Sequence, residues 1–174
     1  RDAGRDIRGG ALDRGLDFLD KKLVEFENDP ATQAWMLHAM AAGKRSTKFT
    51  DKAMANLWKQ REDLNAYTRS LFLLATVGYG DANKTAAILA RNLRDGVKKD
   101  DKPDIFVVQE GVQQSQAAVM GTAHWGEDGF WWRWSDGGIE ATAFALKATM
   151  AADPKSDLIE PVMNWLVKGR RGAS

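Results

Sequence analysis

Leu12, Leu16, Leu19, Leu23 and Phe26 recur at alternating steps of four and three residues. That spacing collects apolar side chains on one face of an α-helix. Eight charged residues share the 11–28 segment, so the pattern predicts an amphipathic helix with a solvated back. Three more segments read the same way: 47–64 (Ala53, Leu57, Leu64), 81–98 (Ala82, Ala86, Leu89, Leu93, Val97) and 155–171 (Leu158, Val162, Trp165, Leu166). Between them lie helical stretches of another kind. PATQAWMLHAMAAG (30–43) has no formal charge, AYTRSLFLLATVGYG (66–80) has only Arg69, and IEATAFALKATMAA (139–152) has only Glu140 and Lys147. A helix that is apolar nearly all round must be covered nearly all round.

The boundaries carry matching punctuation. Asp29 and Pro30 suit N-cap and first-turn positions, Asn65 and Asp81 suit N-caps, and Gly43 and Gly78 suit left-handed C-caps. The order is therefore outer, inner, outer, inner, outer, an interruption, inner, outer. The inner helices repeat: LHAMAAG (37–43) superposes on FLLATVG (72–78) at an offset of 35 residues, and KATMAAD (147–153) lies 75 further on. Charged and apolar helices alternating at such a period predict a solenoid or a ring of helical hairpins. Inner helices that are apolar on every side favour the ring. The expected fold is all-α, a single partial α/α toroid over 1–174 with about seven helices. Seven helices make an incomplete ring, whose open edge exposes apolar surface and implies further sequence, a partner or a dimer.

Residues 99–136 break the helical period. IFVVQE (105–110) is rich in β-branched and aromatic residues, and AHWGEDGFWWRW (123–134) reads as a hairpin turning at Gly126–Gly129. A small β-hairpin insertion is thus expected around 105–135. Its aromatic residues make Trp125, Trp131, Trp132 and Trp134 candidate ligand or partner surface, or else a cover for one end of the toroid.

Composition narrows the classes further. Lys and Arg total 25 against 24 Asp and Glu, a net charge of +1, which gives no electrostatic reason to expect nucleic acid as a partner. No apolar run approaches the roughly 20 residues that span a bilayer. With no cysteine there is no disulfide framework, thiolate metal site or cysteine nucleophile. The chain opens on Arg1 rather than Met, and is expected to be a fragment of a larger protein.

Candidate chemistry is sparse. His124, Glu127 and Asp128 lie within five residues and invite an acid–base or metal reading, but a solvated hairpin turn accounts for them better, and no further metal ligands stand at a characteristic spacing. His38, inside an uncharged helix, fits a hydrogen-bonded core or mouth histidine better than a catalytic one. Glu140 fits an acid of raised pKa or a first-turn complement to the helix dipole, and Lys147 a snorkelling cation. No nucleophile, base and orienting group assemble in sequence, so no catalytic residue, cofactor or metal is expected.

GGIEATAFALKATMAADPKSDLIEPVMNWLVKGRRG (137–172) resembles the later part of the thioester-containing domain of the alpha-2-macroglobulin and complement family. There an inner helix of the (I/V)EATxYALLALL type precedes an outer helix of the VxWLxxQRxxGG type. The matching positions are Ile139, Glu140, Ala141, Thr142, Phe144, Ala145 and Leu146, then Val162, Trp165, Leu166, Arg170, Arg171 and Gly172, while Lys168 and Gly169 depart from the pattern. ALDRGLDFLDKKL and ATQAWMLHAMAAG resemble a preceding hairpin of the same domain. The family domain is an α/α toroid. Its reactive Cys-Gly-Glu-Gln-type element lies upstream of the matching region, and this chain has no cysteine to form a thioester.

The resemblance implies a non-catalytic scaffold piece of a secreted or periplasmic protease-trapping protein. Its partners would be proteases, met through the full-length protein, and the remaining domains of the parent chain, with no direct membrane insertion. A carbohydrate-binding or carbohydrate-active toroid enzyme is the alternative, using the Trp-rich hairpin with Glu127, Asp128 or Asp136 as acids.

Overall fold

The computed structural model describes residues 10–81, 84–100, 121–126 and 138–171. Helices α1 (Ala11–Lys22), α3 (Lys48–Lys59), α5 (Ala86–Asp95) and α7 (Ile159–Arg171) are the amphipathic set, and α2 (Pro30–Ala42), α4 (Ala66–Gly78) and α6 (Ile139–Ala152) the apolar one. A 3-10 turn, Leu23–Phe26, follows α1, and two short strands, β1 (Lys98–Asp100) and β2 (Thr122–His124), pair antiparallel. The apolar helices lie side by side, with α4 packed along α2 on one flank and α6 on the other more extensively than any other pair. The amphipathic helices wrap them from outside. The chain is thus mostly helical, with the apolar helices packed together and the amphipathic ones against them, as the charge alternation predicts.

The central helix is the most enclosed, with every residue from Ser70 to Thr76 buried. Close approach along α2 depends on Gly78, where an added Cβ would stand 3.2 Å from that of Ala41. Gly43 serves α1 in the same way, for a Cβ there would fall 2.7 Å from the Leu16 side chain. Neither glycine is a left-handed cap as expected. The positive-φ positions after α2 and α4 are Lys44 (54°) and Gly80 (89°). There Arg45 N–H donates to Met40 O and Asp81 N–H to Thr76 O, closing each helix one step later.

Other boundaries move for identifiable reasons. Asp29 and Asn65 cap α2 and α4 as expected, each carboxyl or amide oxygen accepting from a backbone N–H three residues on. α3 starts just after Thr47, which forms a reciprocal capping box with Thr50, and ends at Lys59, short of its pattern, where Gln60 N–H donates to Asn56 O and a turn follows. α5 begins at Ala86 rather than Asp81, since Asp81 takes a φ of 46° and its Oδ1 accepts from the N–H groups of Thr85 and Ala86. The last helix begins at Ile159, after a turn through Asp153–Leu158.

Two polar anchors tie the layers. Gln33 Nε2 donates to Leu23 O, while its Oε1 accepts from Asn56 Nδ2, which also donates to Glu27 O. That network holds the 3-10 turn, α2 and α3 together. Arg69, the lone charge of α4, donates to the carbonyls of Asn92, Arg61 and Glu62, so one guanidinium satisfies chain ends after α3 and in α5 that would otherwise lack donors.

The interruption is partly strand. β2 pairs with Lys98–Asp100, in the register Lys98 to His124, and the expected strand at 105–110 and hairpin arm at 130–134 lie outside the described residues. Trp165, expected inside α7's packing face, is half-buried, with its ring stacked on His124 at 4.7 Å.

Candidate functional site

Of the four tryptophans singled out in the sequence, Trp131, Trp132 and Trp134 lie outside the described residues, as do Glu127, Asp128 and Asp136. Trp125 is described, and it is core: 1 % of its surface is exposed, and its Nε1 donates to Leu93 O at 2.7 Å. Its backbone is held by Thr142, whose Oγ1 accepts from Trp125 N–H and donates to Trp125 O, both at 3.0 Å. A ring so enclosed offers no stacking face, which removes Trp125 from the candidate ligand surface. Beside it, Gly138 takes a φ of 90°, and a Cβ there would meet Trp125 O at 2.6 Å. His124 is nearly buried against Trp165, so it belongs to the packing of β2 on α7.

The exposed aromatic cluster sits elsewhere, on the inner face of the arc. Trp35 from α2 is 41 % exposed. Its ring meets Phe144 of α6 edge-on at 5.3 Å, and Phe144 meets Tyr67 of α4 edge-on at 5.5 Å. Side chains of α2 and α6 thus touch across α4, which measures how strongly the inner layer curves. Trp35 Nε1 donates to the Tyr67 hydroxyl, and that hydroxyl donates onward to Glu140 Oε1 at 3.4 Å. Burial, aided by the Glu140 carboxylate, pushes the Tyr67 phenol above its ordinary value, so Tyr67 serves as a donor at neutral pH. His38 lies one turn beyond Trp35, with rings 5.9 Å apart. Burial first, and then the Lys147 ammonium, hold its imidazole below the usual range, leaving it neutral near pH 7.

The structure therefore brings together His38, Glu140 and Lys147, three residues weighed separately in the sequence, and adds Trp35 and Tyr67, which were not singled out. The missed signal was positional. Trp35 and His38 share one face of an uncharged helix, and Tyr67 and Glu140 each stand second in their own helices. The arrangement can stack on a flat apolar ligand and accept or donate one hydrogen bond at its rim. Among the described residues no group of three or more His, Cys, Asp or Glu could hold a metal ion, and no helix is long and apolar enough to cross a membrane. No family model, curated protein or solved structure matches the chain.

Proposed function

We propose that this domain is a non-catalytic scaffold element of a protease-trapping protein of the alpha-2-macroglobulin type, and that it works in a secreted or periplasmic parent. The observation that carries the reading is the edge left open by α6 and α7. Ile139, Met150, Met163 and Val167 are 45–57 % exposed there, and Ala143 is exposed between the first two. Within the arc, the corresponding flank of α4 is covered by α6. A flank of this composition at the end of a two-layered arc is one that a further helical pair or neighbouring domain covers. The resemblance over 137–172 supports the family, and the buried pairing of Thr142 with Trp125 gives the EAT sequence a structural role without a reaction.

The test is made in the longer polypeptide that the reading requires. A captured protease would keep its activity on small esters and lose it on protein substrates, because the wall excludes bulk. Met163→Asp with Val167→Asp would abolish that protection while leaving the melting temperature of the isolated domain within a few degrees. A flanking reading frame that encodes no macroglobulin-like domain overturns the reading.

One observation favours the carbohydrate alternative in altered form: the exposed Trp35 with Tyr67 and Glu140 beside it is a platform of the kind on which sugar rings stack. Quenching of tryptophan fluorescence by oligosaccharides, lost in Trp35→Ala, would establish it. A flat titration removes it.

A further inference from the structure

A groove of about 720 Å³ opens on the outer side of the arc, between α3 and the α4–α5 connection. It lies away from both the inner aromatic cluster and the α6–α7 edge. That volume falls within the range of small-molecule sites. Phe72 and Thr76 of α4 form its floor, both buried. Met54 and Trp58 of α3 form one wall, Tyr79 forms part of the other, and Asp51 and Asp81 stand at the rim. Every remaining lining group is a hydroxyl or an alanine, and among the described residues no Lys, Arg or His lines it.

Three of the basic residues nearby are held by other groups. Arg45 reaches the carboxylates of Asp17 and Asp13 at 3.2 and 3.6 Å, and Lys48 sits 5.1 Å over the Phe49 ring. Arg61 stacks 4.3 Å from the Trp58 ring, with its Nε 3.3 Å from Glu62, so it is neutralised by an adjacent carboxylate. The Asp51 carboxylate makes no hydrogen bond or ion pair with any described residue. Among the described lining residues, the charged groups are the carboxylates of Asp51 and Asp81. Burial, with the carboxylates of Asp20 and Asp51 adding, pushes the Tyr79 phenol up to about 12. The Tyr79 hydroxyl donates to Arg45 O at 2.8 Å, which fixes the ring as wall.

An apolar floor with aromatic and thioether walls, closed by carboxylates and free of lining cations, is complementary to a positive head on an apolar body. We propose that this groove binds a small organic cation, an aryl- or alkylammonium, with its ammonium at the Asp51–Asp81 rim and its body against Met54, Trp58 and Phe72. The proposal is independent of the scaffold reading, since it uses neither the inner face nor the open edge.

The experiment uses the full chain with ¹³C-methyl methionine, whose six methionines give a spectrum simple enough to assign Met54. Phenylpropylammonium and the similarly shaped phenylpropanoate are titrated in parallel. The ammonium should shift the Met54 methyl saturably, and the carboxylate should bind about tenfold more weakly, a gap that narrows as salt screens the rim. Asp51→Asn should weaken the ammonium about threefold and leave the carboxylate no worse. Ala55→Trp, at an exposed lining position, should fill the groove and abolish the Met54 response. Equal affinities for the two probes, an unmoved Met54 methyl, or an unchanged response in Ala55→Trp would overturn the assignment.

Discussion

Removing the Thr142 hydroxyl while keeping its shape is the sharpest test of how the interruption is fastened to the arc. Thr142 is fully buried, and its Oγ1 is the partner of both the N–H and the C=O of Trp125. Thr142→Val fills the same volume and leaves both backbone groups without that partner in an apolar setting. Each orphaned group costs about 1–3 kcal/mol, so the pair together costs about 2–6 kcal/mol. Against a whole-domain stability of about 5–15 kcal/mol this is a large fraction. Thr142→Ser keeps both bonds, deletes one buried methyl and costs only about 1 kcal/mol. Urea unfolding followed by far-UV circular dichroism resolves the two, provided the slope with denaturant stays constant across the series. A valine variant within 0.5 kcal/mol of the parent, a threshold well below the ~1 kcal/mol expected for one orphaned group, would refute the reasoning. So would a serine variant as damaged as the valine one.

Three further outcomes follow from the geometry. Gly138→Ala places a Cβ at a φ of 90° and 2.6 Å from Trp125 O, and should cost about 2–4 kcal/mol, read as a lowered denaturation midpoint. Arg69→Met withdraws donors from three carbonyls and should cost about 2–3 kcal/mol, with Arg69→Lys recovering less than half because one ammonium cannot match the fork. His38 is held neutral by burial and then by Lys147, so as pH falls the unfolded chain takes up its proton first. Stability should therefore rise with pH between the lowered folded value and the ordinary value near 6.5, and flatten above it. Melting temperatures between about pH 5 and 7.5 should show that slope, and His38→Gln should remove it.

The two-layer arrangement was legible because it depends on burial, and burial leaves a record in charge spacing. α2, α4 and α6 keep the bounds that the uncharged stretches suggest to within two residues. Boundaries set by a single hydrogen bond were less legible. The 81–98 pattern holds five apolar positions in register, yet the helix cannot start until Asp81 has turned through a positive φ and capped Thr85 and Ala86. Gly43 and Gly78 were misread for a related reason. A glycine near a helix end suits either a left-handed cap or close approach, and only the neighbour decides. Here the neighbours are Leu16 and Ala41, while Lys44 accepts the strained position after α2.

The site was harder to read because it is made by curvature, and curvature has no local signature. Trp35 and Phe144 stand 109 residues apart in the chain, on helices with α4 packed between them. They touch because the inner layer bends enough for side chains to meet over the helix that separates them. Trp125 shows the converse. Its aromatic, turn-rich surroundings suggest display, whereas a buried carbonyl at Leu93 and a hydroxyl at Thr142 supply every polar partner an indole and its backbone need to be interred. Aromatic density alone therefore does not separate a ligand platform from a rivet. The decision rests on whether the polar edge of the ring finds its hydrogen bond inside the core, as at Trp125, or at the rim of an exposed cluster, as at Trp35.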